Sequence, residues 1–161
     1  MSMSPPRRPP RSLPRRRALQ AGAALVAARL LPAGAASMDD LPGVRELTEY
    51  LAGRTAQFGR LALDIPRLAD NGNAIPLRIA MRGPFAAGAE LRTVRLYSER
   101  NPVPLMARFD FAVPPAKAEL DTRIRLAGTQ RIVAVAELAN GDLHAAFADV
   151  AVTVSACLDG T

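Results

Sequence analysis

Tryptophan is absent from this 161-residue chain, and histidine and cysteine occur once each. One histidine and one cysteine exclude a histidine-cluster zinc site, an intramolecular disulfide and a Cys-x-x-Cys motif. Aromatic residues make up only 4% against a hydrophobic fraction of 49%. The core must therefore be aliphatic, built from Leu, Val, Ile and Ala. Glycine-rich phosphate loops are missing, and the acids lie scattered among turns and polar strand faces. Without an acid–base or metal constellation the sequence does not describe an independent enzyme. It assigns no catalytic residue, no metal ligand and no cofactor.

Acidic residues are also missing from the first 36 positions, which hold seven arginines. The remaining 14 basic residues face all 15 acids, so the formal charge of +6 becomes −1 once that segment is set aside. The body has no global field to draw in nucleic acid.

Residues 1–17 are rich in Pro and Arg, residues 18–31 are weakly apolar, and Pro32-Ala33-Gly34-Ala35-Ala36-Ser37 is rich in small residues. That order describes an export signal. The run Pro14-Arg15-Arg16-Arg17-Ala18-Leu19-Gln20 resembles a twin-arginine signal, with Arg15 and Arg16 as the pair. The apolar stretch carries Arg29 and falls short of the ~20 residues a membrane span needs. Cleavage is expected after Ala35 or Ala36, giving a periplasmic protein of about 125 residues, enough for one core.

Past the signal (1–36), residues 37–58 are expected to hold a short helix. Asp40 caps its start, Pro42 sits in its first turn, Val44, Leu47 and Leu51 form a buried stripe, and Gly53 ends it. From residue 59 the pattern shortens to alternating runs between turns. Seven strands are expected: Arg60–Ile65, Ile75–Met81, Thr93–Ser98, Arg108–Val113, Lys117–Leu126, Arg131–Leu138 and Leu143–Val154. Asp70-Asn71-Gly72-Asn73 reads as a turn, and Asn140-Gly141 as a hairpin. Their number and spacing predict an all-β, immunoglobulin-like sandwich over residues 59–154. His144 is expected on a solvated or edge strand.

Residues 155–161 then form a C-terminal arm bearing Cys157. A thiol just past a final strand reaches outward, and in an exported protein it calls for an intermolecular bond or a chemical use. A thiolate is a nucleophile that carries sulfur adducts well. Position alone leaves two other readings open: an incidental exposed thiol, or a small buried hydrophobe.

Several stretches add up: Asp70-Asn71-Gly72-Asn73 with Ile75-Pro76-Leu77, and Ser98-Glu99-Arg100-Asn101-Pro102. Thr122 to Gln130, Val133 to Glu137, and Val152-Thr153-Val154 leading to Cys157 complete the set. Together they resemble the SoxY-type sulfur carriers of the periplasmic thiosulfate-oxidising system. The resemblance implies an immunoglobulin-like fold and a small SoxZ-like β-sandwich partner. It implies a non-enzymatic role, with sulfur intermediates held covalently on Cys157 and presented to sulfur-oxidising enzymes in transient encounters. The family's cysteine is typically flanked by glycines, where this chain has Ala156 and Leu158. The alternative is an exported interaction module that binds a partner without using its thiol.

Overall fold

A computed structural model describes residues 36–112 and 118–156. Among these residues nine strands form the two sheets of an immunoglobulin-like sandwich, with one short helix before them. Strands β1 (Ala56–Phe58), β5 (Leu91–Ser98), β6 (Leu105–Asp110), β8 (Gln130–Leu138) and β9 (Leu143–Val154) make the larger sheet, ordered β1-β9-β8-β5-β6. Strand β3 (Leu68–Asn71) joins the same sheet along the far end of β9. The smaller sheet runs β2 (Leu61–Asp64), β4 (Ile75–Met81) and β7 (Glu119–Ile124), ordered β2-β4-β7.

The sequence periodicity explains the packing. On β4, Ile75, Leu77, Ile79 and Met81 are buried and alternate with exposed Pro76 and Arg78. These residues meet Val94 and Leu96 of β5 and Ile132, Ala134 and Ala136 of β8 in the core between the sheets. Each Val, Leu, Ile or Met side chain among them contributes about 1.5–3 kcal/mol by leaving water.

β5 and β8 are buried on both faces, because the helix covers the outside of the larger sheet. That helix, α1 (Arg45–Leu51), turns Leu47 and Leu51 onto Tyr97, Val133 and Val135, with Val44 beside them. Thr93 and Tyr97 alternate with Val94 and Leu96 along β5, yet they too are buried, at 6% and 1% exposure. Alternation cannot show that a second layer lies above a sheet.

The helix begins later than expected. Asp40 ends a separate 3-10 turn, Met38–Asp40, and its carboxylate accepts the Ser37 backbone N–H at 2.8 Å. Val44 is the N-cap of α1, and the Val44 carbonyl accepts the Thr48 hydroxyl. At the other end Ala52, with φ 48°, takes the left-handed cap position one residue before Gly53.

β1 and β3 add to the seven expected strands. Each has three or four residues and pairs in parallel with β9, so neither shows a hairpin signal. The expected strand ends Val113 and Lys117 lie outside the described residues. β1 also overturns the expectation for His144. It pairs Gln57 with His144 on the side of β9 away from β8, which places His144 inside the sheet at 1% exposure.

Candidate functional site

The arginine pair Arg15 and Arg16 and the candidate residue Cys157 all lie outside the described residues. The structure does describe the platform from which Cys157 departs. Ser155 and Ala156, read from sequence as the start of the arm, are still tied to the fold. Ala156 is 6% exposed and its amide donates to the Leu126 carbonyl at 3.0 Å.

Three segments meet there. Leu126 precedes β8 and is fully buried. Its own amide donates to the Gly72 carbonyl at 2.9 Å, and the Gly72 amide donates to the Val154 carbonyl at 2.8 Å. The β3–β4 turn, the β7–β8 loop and the end of β9 are thus joined through their main chains.

Glycine is required at position 72 by this close approach. A Cβ there would collide with the Leu126 carbonyl oxygen and stand 2.8 Å from the Ala156 nitrogen. Beside it, the Asn71 carboxamide oxygen accepts the Asn73 N–H at 2.8 Å and fixes the turn.

A side-chain network holds the β7–β8 loop. The Asn101 carboxamide oxygen accepts the Ala127 amide at 3.0 Å and the Gln130 side-chain amide at 2.9 Å. Its nitrogen donates to the Arg125 carbonyl at 2.9 Å. Gln130, 4% exposed, accepts the Arg100 amide at 2.9 Å. Thr129 Oγ1 accepts the Val152 amide at 2.9 Å, clasping β9 four residues before Ala156. The stretches around residues 70, 100 and 125–130 are therefore separate in sequence and adjacent here.

Beside this platform an open cleft of about 500 Å3 is lined by Arg67, Glu99, Arg100, Thr129, Arg131 and Asp149. Arg131 grips Asp149 through two hydrogen bonds of 2.7 and 2.8 Å. That bonding holds the Asp149 carboxyl below its ordinary value. Sequence reading gave Arg67 and Arg100 no role. No sequence signal links them, because only the fold brings the approach to β3 beside the end of β5.

Two further groups carry unusual electrostatics. The Tyr50 hydroxyl donates to Glu137, which also receives Arg54 at 3.1 Å. Burial, then that bond, push the Tyr50 phenol well above its ordinary value, while the same bond pulls Glu137 down. His144 is pushed below 6.5 by burial and by nearby Arg60. Its Nδ1 has no hydrogen-bond partner among the described residues. No group of three or more His, Cys, Asp or Glu that could hold a metal occurs among the described residues. None of the described helices is long and apolar enough to cross a membrane.

Comparison with solved structures finds similar folds. Superoxide reductase (neelaredoxin) from Ignicoccus hospitalis is 17% identical, covering 58% of this chain and 80% of that one, with a TM-score of 0.50. Two single-site variants of that protein are 16% identical and cover 73% of this chain, with TM-scores of 0.51 and 0.52. They cover 98% and 94% of their own lengths. At such identity the likeness is one of fold alone. No curated protein matches the chain. A family model described as sulfur oxidation protein SoxY matches residues 48–157, about two thirds of the sequence, reaching from α1 across both sheets to Cys157. The chain belongs to the SoxY family of sulfur oxidation proteins.

Proposed function

We propose that the chain is a non-catalytic carrier that holds sulfur intermediates covalently on Cys157 and presents them to partner enzymes. The observation that carries this reading is the anchored end of β9. Main-chain bonds hold the chain through Ala156, and the next residue is the single thiol. An anchored base followed at once by a nucleophile suits delivery, since the fold fixes where the reactive end starts. The family match also runs to Cys157.

The loading chemistry follows from the thiolate. Joining Cys157 to thiosulfate makes one S–S bond and releases two electrons, giving a Cys–S–S–SO3⁻ adduct. Those electrons pass to an electron-accepting partner enzyme. Later hydrolysis of the terminal S–S bond releases sulfate and leaves a persulfide. The carrier itself supplies the sulfur atom and the tether. We further read the protein as periplasmic, exported through Arg15 and Arg16, and paired with a SoxZ-like small β-sandwich subunit.

Replacing Cys157 with Ser tests the function. The variant should fold with stability within about 0.5 kcal/mol of the parent, because the carrier reading puts Cys157 outside the core. It should abolish growth of the host on thiosulfate. Normal growth with a stably produced variant would support an interaction module instead.

A further inference from the structure

Three methionines follow the first 36 residues: Met38, Met81 and Met106. Met81 is a core residue at 6% exposure. Met38 is half-buried on the helix side of the larger sheet, where its sulfur accepts the Ala56 amide at 3.3 Å. Met106 is half-buried on β6, and its sulfur also accepts an N–H.

Met106 reaches its position through an irregularity in β6. Leu96 on β5 pairs with Ala107 while Tyr97 pairs with Leu105, so Met106 is the extra residue of a β-bulge. In a regular strand Met106 and Ala107 would point to opposite faces. Here both pack against the core between the sheets. β6 is also the last strand of the larger sheet, with no further strand beside it among the described residues. The bulge therefore sets an oxidisable thioether at an open edge.

At that edge the sulfur meets Asn101. Asn101 Nδ2 donates to Met106 Sδ at 3.3 Å and to the Arg125 carbonyl at 2.9 Å. Its Oδ1 accepts the Ala127 amide at 3.0 Å and the Gln130 side-chain amide at 2.9 Å. A carboxamide has two N–H donors and two acceptor lone pairs, so Asn101 is fully used. A change at Met106 therefore passes through Asn101 to Arg125, Ala127 and Gln130. Leu126 lies between the first two, and its carbonyl holds the Ala156 amide.

We propose that Met106 is a modification site whose oxidation by a peroxide loosens the platform at Ala156. A sulfur lone pair takes one peroxide oxygen. An S–O bond forms and the O–O bond breaks, the thioether is oxidised by two electrons, and the peroxide is reduced to water. The product sulfoxide is polar where the thioether was apolar. Its oxygen is a stronger acceptor than sulfur, so it draws Nδ2 away from the Arg125 carbonyl. Its polarity also disfavours the contact with the core. The site stands on the Asn101 network and does not depend on the carrier reading.

The test uses Cys157→Ser, so that peroxide has no thiol to oxidise. Hydrogen peroxide should add one oxygen to Met106 well before Met81, read by peptide mass mapping. The Ala127 and Ala156 amides should then exchange with solvent about fivefold faster, the equivalent of one lost hydrogen bond. The Ala134 amide, on β8 in the core, should keep its rate. Methionine sulfoxide reductases, which return the sulfoxide to the thioether, should restore slow exchange. Met106→Leu keeps the volume and should abolish the response to peroxide. Met38→Leu should leave that response intact. Met106 oxidised no faster than Met81, or a Met106 sulfoxide with unchanged exchange at Ala127 and Ala156, would overturn the proposal.

Discussion

Gly72 shows how one residue links the fold to the arm. It has no side chain because two main-chain groups, at Leu126 and Ala156, occupy the space. Gly72→Ala should lower unfolding stability by about 1–3 kcal/mol, since backbone rather than a flexible side chain must give way. The Ala156 amide should lose protection in hydrogen exchange, while amides on β5 keep theirs. His144 makes a second residue-scale prediction. Its folded pKa lies below the unfolded value of 6.5 because burial disfavours the charged ring. Above that value both states are neutral and the histidine costs nothing. As pH falls through it, the unfolded chain takes up the proton first, so stability declines. Glu137 and Asp149, whose pKa values are also lowered, likewise lose stability as pH falls, but only in the acid range below 4.5. Since His144 is the single histidine, urea titrations between pH 7.5 and 5.5 should show falling stability. His144→Asn should flatten that slope.

Among the elements, α1 matters because it makes the larger sheet two-sided. Its seven residues are too few for independent stability, so contacts with β5 and β8 hold it. Tyr50 reaches Glu137 from the helix, and the Arg95 guanidinium stacks 3.8 Å from the Tyr50 ring centre. Tyr50→Phe should cost about 1 kcal/mol in thermal or urea unfolding. It should also raise the Glu137 pKa toward its ordinary value, measurable by carboxyl NMR titration. Much of this architecture was legible from sequence. β4 follows its alternation, and β8 and β9 fall where they were expected, with β9 running from Leu143 to Val154 as read. The parallel additions β1 and β3 were not legible. A three- or four-residue strand carries too little periodicity, and its register depends on a partner some 85 residues away. Asp70 and Asn71 looked like turn residues yet belong to β3, and the turn proper starts at Gly72. For the site, sequence singled out Cys157 and the stretches now seen to meet at Ala156, but not their meeting. The cleft arginines stayed hidden for the same reason: convergence is a property of the fold.

At the scale of the whole molecule, the proposed export segment, the sandwich and the proposed sulfur-carrying end follow one another along the chain. Each has its own test. Arg15→Lys with Arg16→Lys should retain the precursor in the cytoplasm, seen by fractionation and immunoblotting, because the arginine pair is read as an address. Unchanged periplasmic levels would assign export to a general secretory signal. The sandwich supplies rigidity: the core and the helix layer fix the platform, and in the proposed carrier role that platform sets where the thiol-bearing end starts. The most direct test of the central claim is intact-mass analysis of the protein purified from host periplasm during growth on thiosulfate. The account predicts sulfur-derived mass on Cys157, as a persulfide or thiosulfonate, removed by reductant and absent from Cys157→Ser. A Cys157 that is always an unmodified thiol under those conditions would contradict it.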